Sequence, residues 1–221
     1  MSHSKELNLT PNTATRIASL RYDDLIKSWP AFEAKILHLL ATLGLADKNL
    51  ECDHVALRVN SIASADALRH DFSQLGTVIS DNQINGRPIL IIELNSPLTL
   101  GKFSIPCVEL PYPSDKHYPQ EGWEHIELVI PSNAQDCETL SQDLQAISPI
   151  LSSLLSGEIE ASKGAIKLKM SSPKGDRERL ANPTIAFKQG DICIKLHPHG
   201  IKTVIASEQN EYAQASALTI K

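Results

Sequence analysis

The sequence lacks long hydrophobic runs, a surplus of basic residues and an apolar leader. No stretch approaches the roughly 18 consecutive apolar residues of a membrane span, and the first nine residues lack the apolar core of a signal peptide. Lys and Arg number 21 against 26 Asp and Glu, a formal charge of −5, so there is no basic surplus to neutralise a phosphate backbone. We therefore expect a cytoplasmic protein with neither a nucleic-acid partner nor a membrane.

Closely spaced cysteine pairs are also missing. The four cysteines stand far apart in a chain of 221 residues, which is long enough to fold without disulfides. Structural zinc sites rich in thiolates use closely spaced pairs. We therefore expect reduced thiols that pack as small hydrophobic side chains, at Cys52, Cys107, Cys137 and Cys193.

Several catalytic motifs are absent. The chain has no G-x-S-x-G elbow, no Gly-rich phosphate loop and no H-E-x-x-H, and only 10 glycines, which removes the main support for serine hydrolase, nucleotide-binding and zincin functions. Only ten aromatic residues of the Phe, Trp and Tyr types are present, whereas there are eight histidines. For its size the chain is therefore rich in histidine, which can bind metals or transfer protons, and poor in aromatic rings on which a ligand could stack.

Residues 1–48 are predicted to form a polar tail followed by a helical extension. From Pro30 to Gly44 apolar residues recur at intervals of three and four, with Pro30 near the first turn and Gly44 near the end. The apolar stripe consists of Phe32, Ile36, Leu39, Leu40 and Leu43.

The next segment predicts the order βαβββ. Residues 51–60 alternate between an aliphatic face and a face that carries Cys52, His54, Ala56 and Arg58, as in a half-buried strand. Ser61 is a typical N-cap for a helix that closes at Gly76. Strands are then predicted at about 77–83, 87–94 and 103–110.

The second half repeats this order. The segment 124–130 matches 53–59, 71 positions earlier, in an acidic residue, a histidine, a β-branched residue, a leucine and a second β-branched residue. A strand at 125–130, a helix starting at Pro131-Ser132 and strands near 165–170, 184–188 and 191–197 follow. We predict an α+β fold in which paired βαβββ modules, about 49–112 and 121–200, form a curved mixed sheet around a concave cup. The domain spans 49–210, and 211–221 is a tail.

The repeated histidines are candidate metal ligands. His54 and His125 lie on the polar faces of the two first strands, and each last strand adds a candidate, Glu109 or His197. Such a set suits a divalent Zn, Fe, Mn or Ni ion. Other candidates are Glu93 and Glu127 in place of Glu109, and His199 in place of His197. The alternative is that the strand histidines are hydrogen-bonded core residues without a ligand.

Three further features leave alternatives open. The stretch Ser171–Arg179 contains three cations, which suit a substrate carboxylate or phosphate, or a solvated loop in which its own acids offset them. Residues 112–123 collect three aromatics, which suit a pocket wall or a packed linker. Arg58 could orient an anionic substrate or form an ion pair with Glu127 or another acid.

Four stretches resemble the YecM family of small bacterial proteins: INGRPI (84–89), VELPYPSDKHYPQEGWEHIELVIP (108–131), SSPKGDRERLANPT (171–184) and IKLHP (194–198). The resemblance covers about residues 20–210. That family in turn resembles the vicinal oxygen chelate superfamily of glyoxalases, epimerases, extradiol dioxygenases and resistance proteins. The resemblance implies metal ligands on the first and last strands of each module, at His54, Glu109, His125 and His197. The superfamily more often has Glu at the position assigned to His197.

These features lead to a functional hypothesis with one main alternative. The leading hypothesis is a metal-dependent isomerase, lyase or oxygenase that acts on a small oxygenated anionic molecule, with Glu127 as base and Arg58 holding the anion. The alternative is a non-catalytic protein that binds a small ligand through the same metal. A third hypothesis gives the histidines a structural role and the N-terminal helices a partner interface. The sequence predicts neither the substrate nor the oligomeric state.

Overall fold

The computed structural model describes residues 19–84, 86–155, 166–172 and 180–208. In chain order these contain α1 (Tyr22–Thr42), β1 (Glu51–Arg58), α2 (Ile62–Phe72), β2 (Gly76–Ile84), β3 (Arg87–Leu100), β4 (Phe103–Pro111), β5 (Gly122–Val129), α3 (Cys137–Ile147), a 3-10 turn (Pro149–Leu151), α4 (Ser152–Leu155), β6 (Lys167–Ser171), β7 (Thr184–Gln189) and β8 (Ile192–His197). Residues 201–208 are also helical. No helix among the described residues combines the length and the apolar character needed to cross a membrane.

Eight strands form one sheet in the order β2-β3-β4-β1-β5-β8-β7-β6. β1 runs parallel to β4 and antiparallel to β5, and β5 runs parallel to β8. The two halves of this order mirror each other, because β5, α3, β6, β7 and β8 repeat β1, α2, β2, β3 and β4. The prediction of paired βαβββ modules in a curved mixed sheet is confirmed.

The predicted domain bounds stay a prediction. The two modules lie within the span 49–210, but residues 1–18 of the predicted N-terminal tail and the whole of 211–221 lie outside the described residues. Residues 173–179 of the cation-containing stretch also lie outside them.

The main hydrophobic core lies between the helices and one face of the sheet. Leu25 and Ile36 of α1, Phe72 of α2 and Val55 of β1 are among its fully buried members, and each such side chain stabilises the fold by about 1.5–3 kcal/mol. Because side chains alternate along a strand, the residues between these aliphatic positions point to the other face. The buried polar side chains of that face are His54, His125, Glu127 and His197, and Asp53 joins them at the irregularity of β1 between Cys52 and His54.

Helix α1 starts at Tyr22, earlier than the predicted start near Pro30, which instead lies inside the helix. The carboxylate of Asp24 accepts a hydrogen bond from the backbone N–H of Arg21 at 3.3 Å, and the backbone N–H of Asp24 donates to the carbonyl of Arg21, which fixes the earlier start. An internal proline removes the hydrogen bond to the carbonyl four residues earlier, here that of Ile26, whose side chain is exposed. The packing of Phe32 against the core offsets this loss.

Helix α3 starts at Cys137, later than the predicted start at Pro131-Ser132. Asp136 caps it by accepting a hydrogen bond from the backbone N–H of Thr139 at 2.8 Å. The Ser132 hydroxyl accepts from the N–H of Ala134 and donates to the carboxylate of Asp143. Ser132 therefore forms a local turn and leaves the cap to Asp136.

Two other predicted boundaries also differ. Strand β3 continues to Leu100, past the predicted end at residue 94. Its pairing with β4 is interrupted by an irregularity between Glu93 and Leu98 and resumes at Leu98. Gly76 is the first residue of β2, and α2 already ends at Phe72.

Candidate metal centre

The two first strands bring the repeated histidines together. β1 and β5 pair antiparallel with Val55 opposite Ile126, so that His54 lies opposite Glu127 and His125 lies opposite Ala56. The ring centroids of the two histidines are 6.3 Å apart at an interplanar angle of 72°. Both side chains are almost completely buried.

Four side chains form a compact group of donors. His54, Glu109, His125 and Glu127 each offer one ligand atom, and these atoms all lie within 4.8 Å of one another. Glu127 Oε1 lies 3.0 Å from His125 Nε2 and 3.5 Å from His54 Nε2, and Glu109 Oε2 lies 3.7 Å from the same His54 atom. We call these four residues the donor group.

Each histidine of the donor group is backed by the acidic residue that precedes it. Asp53 Oδ1 lies 3.1 Å from His54 Nδ1, and Glu124 Oε2 lies 3.4 Å from His125 Nδ1. The carboxylate lies at Nδ1 in both halves, within hydrogen-bond distance of His54 and at a longer ion-pair distance from His125, and Nε2 is directed toward the donor group. Histidines that bind metals commonly have this arrangement, because the outer carboxylate fixes the ring and raises its basicity.

The donor set fits a divalent metal ion. Two imidazoles and two carboxylates are typical ligands for zinc and for other borderline divalent ions. His54 Nε2 is buried and has no hydrogen-bond partner within the part of the chain that the structure describes, although buried polar atoms rarely remain unpaired. A bound metal ion would satisfy that nitrogen.

Charges within the group shift the pKa values strongly. Burial lowers the pKa of His54, but the charges of Asp53 and Glu127 outweigh burial and raise it well above its ordinary value. Burial raises the pKa of Glu127, but Lys195 and His54 outweigh burial and lower it well below its ordinary range. Without a metal these shifts favour a protonated His54 and an ionised Glu127, so a cation would compete with the proton on His54.

His197 lies beside the donor group. Its Nδ1 is 3.5 Å from Glu127 Oε2 and its Nε2 is 3.4 Å from Asp53 Oδ2. The amide nitrogen of Asn182 lies 3.1 Å from Nδ1. The predicted ligand role of His197 stays a prediction, and Glu127, named as a rival acid, stands within the group.

The strand register identifies the counterpart of Glu109 in the second half. Glu109 lies beside Ala56 in the β1–β4 pair, and Lys195 lies beside Glu127 in the β5–β8 pair. Ala56 and Glu127 are equivalent residues of the repeat, 71 positions apart. Lys195, not His197, is therefore the structural equivalent of Glu109. Its Nζ donates to Glu127 Oε1 at 2.7 Å.

Arg58 pairs with Glu124 and stacks over Tyr118, with its guanidinium carbon 4.5 Å from the ring centroid. The structure therefore contains the ion pair with another acid that the sequence left open, and the partner is not Glu127. Glu93 forms an ion pair with Lys202 at the surface and lies outside the donor group. The role of Arg58 toward a substrate stays a prediction.

The cysteines do not join the donor group. Cys52 belongs to the main core, because the pairing of β1 with β5 shifts between Cys52 and His54. Cys107 packs with Ile89 and Ile91 in a smaller cluster. Burial raises the pKa of Cys107 to about 11 and that of Cys193 to about 12, so both thiols stay protonated near neutral pH.

Sequence reasoning missed three residues at this site. Asp53 and Glu124 were visible as the acidic halves of the repeated acidic–histidine pair, but only the histidines of that pair were assigned a role. Lys195, which shares strand parity with His197, was not considered, because the strand register that places it beside Glu127 is not visible in the sequence.

Comparison with known proteins identifies the family. The model of the YecM family, described as YecM protein, matches residues 21–208. Protein YecM of Escherichia coli (strain K12) is 42% identical over 187 residues, covering 85% of this chain and 94% of that protein. A protein of Haemophilus influenzae described as uncharacterized is 37% identical over 185 residues, covering 81% of this chain and 91% of its own length.

A solved structure has the same overall architecture. A chain described as Structural Genomics, Protein EC4020 superposes with a TM-score of 0.69 at 38% identity, covering 84% of this chain and 92% of that one. The two curated relatives and this structure agree with the match to the family over most of the chain. This protein therefore belongs to the YecM family.

Proposed function

We propose that the protein binds a divalent metal ion through His54, Glu109, His125 and Glu127 and uses this site to bind a small oxygenated anion. The observation that carries the proposal is the donor group itself, with two imidazoles and two carboxylates within 4.8 Å of one another. The acidic residue behind each histidine adds support, because both halves of the repeat contain it.

The proposed activity is that of an isomerase, a lyase or an oxygenase. A bound metal ion would supply Lewis-acid stabilisation of negative charge on a substrate oxygen. The imidazole rings of His54 and His125 are held in position by Asp53 and Glu124, whose carboxylates lie at the Nδ1 atoms. The paired βαβββ topology agrees with the resemblance to the vicinal oxygen chelate superfamily.

Glu127 is better suited to binding a cation than to accepting a proton. Its Oε1 is within 3.5 Å of three basic groups, those of His54, His125 and Lys195, and its pKa is far below the ordinary range after burial is outweighed by these charges. A general base works best with a pKa near the working pH. We therefore assign Glu127 as a ligand, and its predicted role as base stays a prediction.

This low proton affinity also favours the alternative, a protein that binds the small anion without converting it. Both functions require the same metal site. They differ in turnover, so incubation of metal-loaded protein with a metabolite extract, followed by mass spectrometry, separates them. A metabolite that is consumed only when the metal is present indicates an enzyme. A metabolite that stays bound to the protein and is not consumed indicates binding alone.

Elemental analysis of protein purified without a histidine tag tests the metal site. We expect a divalent metal in a stoichiometric amount, and a higher melting temperature after metal-free protein is given Zn²⁺, Mn²⁺, Ni²⁺ or Fe²⁺. His54→Ala and His125→Ala should abolish both effects. His38→Ala, on the exposed face of α1, is the matched control and should retain them.

Wild-type protein without metal, and without a thermal response to any of these ions, would exclude the proposed function. The same conclusion would follow if His54→Ala and His125→Ala bound metal as tightly as His38→Ala.

A further inference from the structure

The two halves of the site differ in charge at two equivalent positions, where Ala56 corresponds to Glu127 and Glu109 corresponds to Lys195. In the first half, Glu109 lies beside Ala56, and in the second half Lys195 lies beside Glu127. Exact twofold symmetry would place a second carboxylate at residue 195. The site instead contains an ammonium group, so one side of it attracts cations and the other attracts anions.

Lys195 lies on the accessible side of the group. Its side chain is 29% exposed and that of Glu109 is 17% exposed, whereas the side chains of His54 and His125 are exposed by no more than 3%. A molecule that enters from solvent therefore meets Lys195 and Glu109 before it meets the imidazoles. A lysine side chain carries its positive charge at neutral pH, because its ordinary pKa of about 10.4 lies well above 7.

Among the described residues, Glu127 is the direct hydrogen-bond and ion-pair partner of this ammonium group, and the carboxylate of Glu109 adds a negative charge nearby. When Glu127 serves as a ligand, its charge is shared with the cation and its attraction for Nζ falls. The ammonium then lies next to the donor group with an incompletely compensated charge in a partly buried site. Charge-assisted hydrogen bonds in such surroundings are strong.

We propose that Lys195 binds the negatively charged group of the small ligand and makes the site selective for anions over neutral molecules that carry the same vicinal oxygens. This inference rests on the proposed function, because it places the ligand next to a metal at the donor group. It assigns the anion to Lys195, whereas Arg58 is occupied by Glu124.

Binding of glycolate and of its neutral analogue glycolamide to Mn²⁺-loaded protein tests the proposal. Both probes present vicinal oxygens, and only glycolate is an anion. Titration of each probe, followed by water-proton relaxation of the bound Mn²⁺, gives the two dissociation constants. We expect Lys195→Met to weaken glycolate binding by about tenfold or more, as for a lost charge-assisted hydrogen bond, and to leave glycolamide binding within about twofold.

Metal affinity provides a second readout that moves in the opposite direction. Lys195→Met removes a positive charge near the donor group, so Mn²⁺ should bind as tightly as in the wild type or more tightly. General damage to the site would weaken both metal and glycolate binding. Lys195→Arg should restore the preference for glycolate. Lys202→Met removes an exposed lysine that also pairs with a glutamate, Glu93, and should change neither affinity.

The outcomes separate this inference from the proposed function. Wild-type protein that binds no Mn²⁺ would overturn both. Wild-type protein that binds Mn²⁺ and fails to prefer glycolate over glycolamide would overturn the role of Lys195 and leave the metal site in place. An unchanged preference in Lys195→Met, or weaker Mn²⁺ binding in that variant, would also overturn it.

Discussion

The carboxylate of Asp53 accepts a hydrogen bond from the backbone N–H of Ile201, 148 residues further along the chain, at 2.6 Å. Its other oxygen lies 3.1 Å from His54 Nδ1. Asp53 thus connects a histidine of the donor group to the start of the helical segment 201–208, whose N-terminal end favours a negative charge. A single buried side chain therefore links the predicted metal centre to the last described element of the chain.

Replacement of Asp53 should weaken metal binding more than it weakens the fold. Asp53→Asn keeps the size of the side chain but removes the charge behind His54, and loss of such an outer partner typically lowers metal affinity by about tenfold to 100-fold. Isothermal titration with Zn²⁺ measures the change. Glu51→Gln, at an exposed position on the same strand, should have no effect. Equal Zn²⁺ affinities of the two variants would contradict the role given to Asp53.

The indole of Trp123 should contribute measurably to the attachment of α1. Its Nε1 donates to the carbonyl of Leu25 at 2.8 Å, and its ring meets that of Trp29 at 4.7 Å between centroids. Trp123→Phe keeps a ring but loses the hydrogen bond, so the free energy of unfolding should fall by about 1–2 kcal/mol. Urea denaturation followed by circular dichroism measures it. Trp29→Phe loses a more exposed hydrogen bond and should cost less.

Replacement of Pro30 should stabilise the protein. Pro30→Ala provides the N–H that the carbonyl of Ile26 lacks, and Pro30 is exposed, so little packing is lost. The gain in the helix exceeds the entropy that alanine adds to the unfolded chain, and the free energy of unfolding should rise by about 1–2 kcal/mol. Chemical denaturation checks this. Pro149→Ala, at the first position of the 3-10 turn, where proline is favourable, should bring no gain.

The ion pair between Arg21 and Asp71 should make stability depend on acid pH. Arg21 Nε donates to Asp71 Oδ2 at 2.8 Å, which fixes the start of α1 to α2. The hydrogen bond from Arg21 lowers the pKa of Asp71 in the folded state. A lowered folded pKa means that the contribution is complete above the unfolded pKa of about 3.9 and is lost as the pH falls through the folded value.

Asp71→Asn should therefore lower the melting temperature near pH 7 and should differ less from the wild type as the pH falls below about 4. Scanning calorimetry across this range provides the comparison. Asp47→Asn, at an exposed position, should show no such dependence. A difference between wild type and Asp71→Asn that stays constant down to acid pH would contradict the ion pair's contribution.

The repeat made the architecture and half of the donor group predictable. The match of 53–59 to 124–130 placed His54 and His125 on equivalent strands, and their alternation with aliphatic residues placed them on the polar face. Strand register was not predictable, because a shift of two residues keeps the same face and exchanges His197 for Lys195. Helix starts were ambiguous for a local reason. Proline and serine are both common at helix starts, which made Pro30 and Ser132 plausible first residues. Contacts of Asp24 and of Asp136 fix the actual starts elsewhere.

The pairing of β1 with β5 is the one strand pairing that joins the two halves within the described residues. Each half carries one histidine and one carboxylate of the donor group, so neither half can form the group alone. A metal ion held there would act as a cross-link between the modules, resisting their separation. Hydrogen exchange along Glu51–Arg58 and Gly122–Val129 should then slow when metal is added, while exchange in the outer strands β2 and β6 stays unchanged. Because the donor group exists only when the two modules are docked, a bound metal ion would indicate that they are docked.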